Sequence, residues 1–259
     1  MSPASYDEIA VWYDERIREG PLGLFHLFVV PEVLKLAGVV EGRQICDLAC
    51  GQGAVARRLA KRGANVVGVD VSSKMLDLAR RYERDEPLGV TYTRDDAQTL
   101  AAFADEAFDG VVCNMALTDI PDLGKTLRSV ARVLLPGGWF VFSIVPPYFQ
   151  SPGSPRFVQD DEGVVSGIEV RDYFSEGFWR RVEPNGVRGR VGAYHRTLST
   201  CVNSLVDAGL HIENFVEPRV TGSLAEFAPV YESVPAVLIS RCRKVSGYGG
   251  REGMKVGEP

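Results

Sequence analysis

The stretch that decides the fold is residues 45–56, I-C-D-L-A-C-G-Q-G-A-V-A. Its apolar beginning predicts a short buried strand over 44–49, and the residues after the glycines predict a helix over 54–62. A glycine-rich turn between a strand and a helix lets a ligand approach the backbone closely and meet the N–H groups of the first helical turn. The stretch therefore predicts the cofactor-binding turn of an α/β domain.

Strands and helices alternate regularly around this turn. Strands are predicted at 65–69, 90–93, 108–114 and 139–145, with helices at 73–83 and 123–135, and a later helix at 199–208 precedes strand-like runs at 211–216 and 236–241. Strands that alternate with helices form parallel sheets with right-handed crossovers. The fold class predicted is α/β, a Rossmann-like, doubly wound and mainly parallel sheet of seven strands.

Five regions follow from this pattern. Residues 1–40 predict an N-terminal helical cap whose second helix opens at Pro31, and residues 41–145 predict the cofactor-binding core. Regular periodicity stops over 146–196, which we interpret as a lid insertion after the fifth strand. Residues 197–245 predict the helix and strands that complete the sheet, and the Gly-rich tail over 246–259 predicts disorder.

Composition narrows the class of function. A net charge of −5 argues against a nucleic-acid partner, because phosphate-binding surfaces depend on clustered Lys and Arg. The five cysteines form no C-x-x-C pair, so we expect no metal site. The longest apolar run, 24–30, is short and contains His26, which predicts a cytoplasmic protein without a membrane partner, as a monomer or homodimer.

Asp47 distinguishes between the cofactors that such a turn can hold. Gly51, Gly53 and Ala56 also fit the G-x-G-x-x-G/A pattern of dinucleotide-binding enzymes. A carboxylate at the end of the first strand would repel a pyrophosphate, but it suits the ammonium group of S-adenosylmethionine. Asp70 follows the second strand, where a carboxylate can accept both ribose hydroxyls of an adenosine.

Five motifs in order resemble the class I S-adenosylmethionine-dependent methyltransferases, and specifically their ubiquinone/menaquinone-biosynthesis-like small-molecule branch, the methyltransferase type 11 domain. They are D-L-A-C-G-Q-G (47–53), V-D-V-S-S (69–73), R-D-D-A-Q-T-L (94–100), F-D-G-V-V-C-N-M-A-L (108–117) and L-L-P-G-G-W-F-V-F-S (134–143). Cys50 departs from the family pattern, which more often has Gly or Ala there.

The resemblance implies roles for residues at the ends of the strands. Asp47, Ala49 and Gly51 would contact the methionine part, with Gly53 in the same turn, and Asp70 would contact the ribose. Ser72 and Met75 would flank the adenine, which Asp96 and the Ala97 amide would bind. The segment Asn114, Met115 and Ala116 would lie beneath the sulfonium, and Tyr13 would close the methionine end.

The lid and its flanks supply the predicted acceptor site. Its aromatic residues could wall an apolar pocket. His195 is the predicted general base, since an unperturbed imidazole suits proton removal at neutral pH, although it could equally be a helix cap. Arginines at 180, 181, 188, 190 and 196 could steer an anionic acceptor or form a solvated surface. The predicted substrate-binding residues are Tyr148, Tyr173, Phe174, Trp179, Tyr194 and Arg196.

These observations predict a methyltransferase that modifies a small organic molecule, with O- or N-methylation favoured over C-methylation. Two alternatives stay open at this point. One is a nicotinamide-dependent oxidoreductase, which Asp47 opposes. The other is a non-catalytic S-adenosylmethionine-binding protein on the same fold.

Overall fold

A computed structural model describes residues 4–153, 156–163, 165–182 and 186–245 of the 259-residue chain. The tail over 246–259, for which the sequence predicts disorder, lies outside the described residues.

Eleven strands occur in the described part of the chain, and seven of them form one sheet. The strands are β1 (Gln44–Leu48), β2 (Asn65–Asp70), β3 (Thr91–Arg94), β4 (Phe108–Asn114), β5 (Leu134–Ile144), β6 (Arg156–Gln159), β7 (Val165–Glu169), β8 (Gly177–Trp179), β9 (Ala193–His195), β10 (Leu210–Val216) and β11 (Leu238–Lys244). The order in the large sheet is β10-β11-β5-β4-β1-β2-β3.

The α-helices lie mainly between these strands. They are α1 (Ala4–Glu19), α2 (Pro21–Ala37), α3 (Ala54–Ala60), α4 (Ser73–Asp85), α5 (Leu123–Val133), α6 (Val187–Arg190), α7 (Leu198–Asp207) and α8 (Ser223–Phe227). The five strands β1 to β5 are parallel, whereas β11 runs antiparallel to both β5 and β10. The predicted fold class, a mainly parallel seven-stranded Rossmann-like sheet, is confirmed.

Two apolar layers bury the two faces of the sheet. In β4, Val111 and Cys113 pack into the layer that includes α5, whereas Val112 between them packs into the layer that includes α2 and α3. Successive side chains of a strand point to opposite faces, so a strand covered on both sides must be apolar at every position. This explains why the sequence of β4 reads as a continuous apolar run.

Two predicted boundaries are wrong. Pro31 lies inside α2 rather than at its start, because the buried face formed by Val29, Val30 and Val33 continues across the proline and holds the helix together. The fifth strand begins at Leu134, not at residue 139. Its Pro-Gly-Gly segment is an irregularity within the strand, where the pairing with β4 shifts register, so the segment ends no helix.

The N-terminal helices cover one end of the sheet. The Tyr82 hydroxyl of α4 donates to both carboxylate oxygens of Asp14 in α1, at 2.8 and 2.7 Å, and Arg18 and Arg81 pair with the same buried carboxylate. Among the described residues, no single helix has the length and apolar composition needed to cross a membrane. The segments Tyr6–Glu19 and Pro21–Ala37 pass that test only as a pair, bent by 73° at their junction.

Candidate cofactor and acceptor site

A cleft lies where the parallel strands end. Ligands of open α/β sheets bind at this edge, beyond the carboxyl ends of the strands. Most of the predicted cofactor residues line the cleft: Tyr13, Asp47, Ala49, Gly51, Asp70, Met75, Asp96, Ala97, Asn114, Met115 and Ala116. Residues from four separate strand ends and from α1 therefore meet in one site.

The turn after β1 has a backbone shaped for close approach. Ala49 has φ +54° and Gly51 has φ +55°, both in the left-handed region that L side chains rarely adopt. No atom lies within 4 Å of the position that a Cβ of Gly51 would occupy. The turn therefore leaves open space beside the backbone, which suits a ligand lying against it.

Asp47 is a buried carboxyl without a cationic partner among the described residues. It is 1% exposed, and its Oδ2 accepts a hydrogen bond of 2.8 Å from the Ala56 N–H in the first turn of α3. Burial raises the pKa of Asp47 to about 8, against the lowering effect of that hydrogen bond. A buried carboxylate is costly unless a cation pairs with it, so the site fits a ligand that presents an ammonium group.

Asp70 holds the glycine turn from the end of β2. Its Oδ2 accepts from the Gly51 N–H at 2.9 Å, and its Oδ1 accepts from the Ser72 N–H at 2.8 Å. Burial raises the pKa of Asp70, while these two bonds oppose the shift. Each carboxylate oxygen has a second lone pair, so Asp70 can still accept hydroxyl groups in the cleft.

The two aspartates after β3 have different surroundings. Asp95 accepts backbone N–H groups on both oxygens, from Asp96 at 2.7 Å and from Ala102 at 2.8 Å, and so holds the turn together. Asp96 accepts from the backbone and side chain of Gln98 at 2.9 to 3.1 Å. Both aspartates line the cleft, and they differ in their donors: Asp95 accepts only from backbone N–H groups, whereas Asp96 also accepts from the side-chain amide of Gln98.

The end of β4 forms the floor of the cleft. Met115 has φ +59°, and its N–H donates to the backbone oxygen of Ser143 at 2.9 Å and to the Ser143 hydroxyl at 3.0 Å. The same hydroxyl donates to Asn114 Oδ1 at 2.8 Å. A non-glycine residue in this conformation persists only where its surroundings hold it, and β5 supplies that support.

Ser72 and Gly53 do not line the cleft. The buried Ser72 hydroxyl donates to Asp7 of α1 at 2.6 Å and accepts from the Met75 N–H, which caps α4. A Cβ at Gly53 would lie 2.3 Å from the Tyr92 hydroxyl, so the glycine allows helix–strand packing. The structure thus assigns helix capping and packing to two residues expected at the cofactor.

Helix α1 covers the cleft with two tyrosines. Tyr6 and Tyr13 both line it and meet edge to face, with ring centroids 5.9 Å apart. The Tyr6 hydroxyl donates to Asp119 Oδ2 at 3.1 Å, and burial raises the pKa of Tyr13 to about 12. Both phenols are therefore neutral at physiological pH.

Arg188 of α6 joins the lid to this cover. Its guanidinium pairs with Asp119 and donates to the Thr118 hydroxyl at 3.2 Å and to the Gly192 carbonyl at 3.0 Å. With the side-chain amide of Gln150 turned to face it, Nε of Arg188 donates to that amide oxygen at 2.9 Å. The interpretation of the arginines as a solvated surface is wrong for Arg188, because it is largely buried and fully hydrogen-bonded.

The guanidinium of Arg196 also forms hydrogen bonds within the protein. It donates to the carbonyls of Leu117, Ile120 and Pro121, at 3.1, 2.6 and 2.7 Å. It therefore stabilises the loop after β4 from the lid side.

His195 lines a second, small cavity together with Tyr194 and Arg196. The imidazole is 1% exposed, and its Nε2 lies 2.6 Å from the Tyr173 carbonyl, which makes that nitrogen the donor. The buried Nδ1 has no hydrogen-bond partner among the residues that the structure describes. The second cavity includes Leu117 and Thr118, and the cleft includes the next three residues of the same loop. His195 therefore does not line the cleft that holds the predicted cofactor residues.

The lid aromatics do not form one wall. The Tyr148 hydroxyl donates to Glu217, and the Tyr173 hydroxyl accepts from the Leu198 N–H at the start of α7. Phe174 is 89% exposed, whereas Trp179 is buried outside both cavities. Of the predicted aromatic substrate-binding residues, only Tyr194 lines one of these two cavities, and the shared aromatic pocket stays a prediction.

Several residues that line the cleft were not predicted as site residues, among them the polar side chains of His26, Gln52, Tyr6 and Asp119. Gln52 lies between the two glycines of the turn, so its position was a usable signal. The others come from α1, α2 and a loop far away in sequence, where only tertiary structure brings them to the site.

Comparison with known proteins agrees with this geometry. Residues 46–142 match the family described as a methyltransferase domain. A ubiquinone biosynthesis O-methyltransferase of Bordetella avium is 31% identical over 192 residues, which are 70% of this chain and 78% of that protein. The chain belongs to the S-adenosylmethionine-dependent methyltransferases. A crystal structure of such a methyltransferase from Mesorhizobium loti has 32% identity and a TM-score of 0.70, over 82% of this chain and 96% of that one.

For a methyltransferase of this family, the cofactor is S-adenosylmethionine. The open backbone at Gly51 and the unpaired buried carboxyl of Asp47 fit its amino-acid end. The similarity to methyltransferases in sequence and structure sets aside the oxidoreductase alternative and supports an enzyme over a non-catalytic S-adenosylmethionine-binding protein.

Proposed function

We propose that the protein transfers the methyl group of S-adenosylmethionine to a hydroxyl oxygen of a small organic acceptor. The observation that carries this proposal is the similarity to an O-methyltransferase over 70% of the chain, together with a cleft whose lining matches the cofactor motifs. When bound, the cofactor supplies an activated methyl group, so the protein's tasks are to place the acceptor in line and to exclude water.

The roles proposed for the cofactor residues are those that the family resemblance implies, and the presence of these residues in the cleft supports them. Asp47 binds the ammonium group, and Asp70 accepts the ribose hydroxyls. Asp96, the Ala97 amide and Met75 hold the adenine, and Asn114 to Ala116 lie beneath the sulfonium. Tyr13 closes the methionine end from α1, and the segment 146–196 covers the acceptor.

The cover over the cleft favours a small acceptor. Tyr6 and Tyr13 of α1 and the Arg188–Asp119 ion pair of the lid close over the cleft from two sides. A site enclosed in this way suits a compact molecule that is buried during transfer.

The test is a methyl-transfer assay on a panel of compounds that differ in the receiving atom. Purified protein, S-adenosylmethionine and each compound are incubated, and S-adenosylhomocysteine and the methylated product are measured by mass spectrometry. The panel holds catechol, 3,4-dihydroxybenzoate, aliphatic alcohols and the corresponding aromatic and aliphatic amines.

We expect transfer to at least one hydroxyl compound and a product heavier by one methylene at oxygen. Transfer to amines alone, or to none of the panel while calorimetry shows cofactor binding, would contradict O-methylation. Asp109→Asn serves as a control, because Asp109 is the second residue of β4, at the end of the strand away from the cleft, and pairs with Arg43.

A further inference from the structure

The first turn of α1 contacts two separate sides of the cleft. The Tyr6 hydroxyl donates to Asp119 Oδ2, in the loop after β4, at 3.1 Å. The next residue, Asp7, accepts from the Ser72 hydroxyl at 2.6 Å and from the Lys74 N–H at 3.0 Å, at the start of α4 after β2. Two consecutive side chains of α1 therefore bind the β4 side and the β2 side of the site.

The order of the strands shows what lies between these two contacts. Strand β1 lies between β4 and β2 in the sheet, so the ends of β4 and β2 are about 10 Å apart. Strand β1 carries Asp47, and the glycine turn follows it. Tyr6 and Asp119 both line the cleft. The first turn of α1 therefore spans the cleft at the site of the predicted cofactor residues.

The Asp119 carboxylate joins this turn of α1 to the lid. Its Oδ1 pairs with the Arg188 guanidinium of α6, while its Oδ2 accepts from Tyr6. The side chains of Arg188 and Asp119 are only 19% and 12% exposed. The Arg190 guanidinium, also of α6, lies over the Trp12 ring of α1, 4.4 Å from its centroid. Helix α6 thus contacts α1 directly through Arg190 and indirectly through Asp119.

The bond from Tyr6 depends on the ion pair beside it. A buried carboxylate without its cation is costly, so it moves toward solvent or takes up a proton. Either change weakens the charge-assisted bond from the Tyr6 hydroxyl to Asp119. Side chains that share one network of this kind act together, and the loss of one changes what the others contribute.

We propose that Asp119 and Arg188 are positioning residues for the cofactor: through Tyr6 they hold the first turn of α1 closed over bound S-adenosylmethionine, so the cleft and the lid open together. The cofactor enters and leaves when the Tyr6–Asp119 bond breaks. The proposal rests on the proposed place of the cofactor in this cleft, and not on which atom of the acceptor is methylated. The lid thereby controls cofactor exchange in addition to covering the acceptor.

The dissociation rate of S-adenosylhomocysteine tests the closure of α1. Protein loaded with tritiated S-adenosylhomocysteine is mixed with an excess of the unlabelled compound, and the bound label is followed by rapid filtration. Tyr6→Phe removes one hydrogen bond to a charged group, so we expect dissociation about tenfold faster.

Tyr82→Phe is the matched control for Tyr6→Phe. It also removes a tyrosine hydroxyl that binds a carboxylate between α1 and another element, here Asp14 of α1. Neither Tyr82 nor Asp14 lines the cleft, so the dissociation rate should stay that of the wild type.

A double variant tests whether the lid acts through the same contact. Arg188→Met should also raise the dissociation rate about tenfold, at a temperature where calorimetry shows every variant folded. In Tyr6→Phe/Arg188→Met the rate should stay near that of either single variant, because both changes remove the same closure. A rate about a hundredfold above the wild type would mean two independent effects and would overturn the coupling.

Hydrogen exchange follows the lid directly. None of the four residues of α6 lines the cleft, so a change there on binding must be transmitted through the protein. The N–H groups of residues 189–192 donate to carbonyls of residues 186–188. Saturating S-adenosylhomocysteine should slow their exchange in the wild type and in Tyr82→Phe, measured by mass spectrometry. In saturated Tyr6→Phe the slowing should be lost.

Each opposite result overturns the proposal. Equal dissociation rates in the wild type and Tyr6→Phe would mean that the bond does not hold the cofactor. A Tyr82→Phe variant that releases the ligand as fast as Tyr6→Phe would assign the effect to weaker packing of α1. Exchange at 189–192 that is independent of ligand would remove the link to the lid. A wild-type enzyme that methylates amines alone would instead refute the proposed O-methylation and leave the closure intact, so the two failures are distinguishable.

Discussion

The cofactor end of the sheet and the lid over 146–196 differ in what holds their side chains. At the strand ends, backbone N–H groups fix the carboxylates: Asp47 accepts from Ala56, and Asp70 accepts from Gly51 and Ser72. In the lid, the aromatic side chains lie in different surroundings: some are exposed to solvent, some are buried in the core, and one accepts a hydrogen bond at the start of a helix. Local geometry thus determines the first set, whereas packing of distant elements determines the second.

The largest effect expected is at Asp47. Asp47→Asn keeps the shape and removes the charge that would pair with the ammonium group, so the Kd for S-adenosylhomocysteine should rise about 100-fold, or about 2.7 kcal/mol. Titration calorimetry measures this, with Asp109→Asn as the control. An unchanged Kd would show that the strand-end carboxylate has no part in binding, and the contrast with the lid would fail.

The pH dependence of the affinity for S-adenosylhomocysteine tests the same role of Asp47. In the ligand-free protein the Asp47 pKa is about 8, so the carboxyl is protonated below that pH. Pairing with an ammonium requires the carboxylate, so binding releases a proton. Affinity should therefore rise up to tenfold per pH unit from pH 6 to 8 and level off above it. The profile of Asp47→Asn should lack this rise.

A smaller effect is expected where the lid meets α1. Arg188→Met leaves the buried Asp119 without its ion pair and should lower the free energy of unfolding by about 2 kcal/mol, the usual worth of charged hydrogen bonds in a partly buried site. For a chain of this size that corresponds to a Tm lower by roughly 6 °C. Calorimetric melting measures it.

Two further variants identify the cause of that loss. Arg84→Met, on the exposed face of α4, should leave Tm unchanged. The double variant Arg188→Met/Asp119→Leu should recover part of the stability, because the uncompensated charge is removed. A Tm of Arg188→Met equal to that of the wild type would mean that the lid does not depend on this ion pair.

The smallest effect is expected at Phe174. Its ring is 89% exposed, so Phe174→Ala should change the free energy of unfolding by less than about 0.5 kcal/mol and leave cofactor affinity unchanged. Denaturant unfolding and calorimetry check both. A large loss of either would restore Phe174 to the acceptor site and weaken the contrast between the two regions.

Much of the cofactor half was predictable because its signals are local. The strand, glycine turn and helix of 45–56 specify where Asp47 and Gly51 lie, and β-branched runs locate β2 and β4. The predicted boundaries were wrong where tertiary packing overrode a local signal. Pro31 lies within α2 because the buried face of the helix continues across it. The fifth strand begins early, at Leu134, because that residue already pairs with β4.

The candidate site was predictable only in part for the same reason. Ser72 carries a family motif, but its hydroxyl is used by Asp7 of α1, a contact between residues 65 apart in sequence. The imidazole side chain of His195 could act as a base, yet its position in the second cavity depends on how β8 and β9 pair. The sequence around Ser72 and His195 contains no pattern that predicts either of these contacts.

The sequence by itself determined the parallel sheet, the glycine turn and the order of acidic residues at its strand ends, because each depends on neighbours a few positions away and on periodicity. Tertiary structure alone decided that His26, Gln52 and Tyr6 share a cleft and that the lid aromatics do not. These contacts depend on how elements that are distant in the chain pack together, and the sequence around each residue contains no local pattern that predicts this packing.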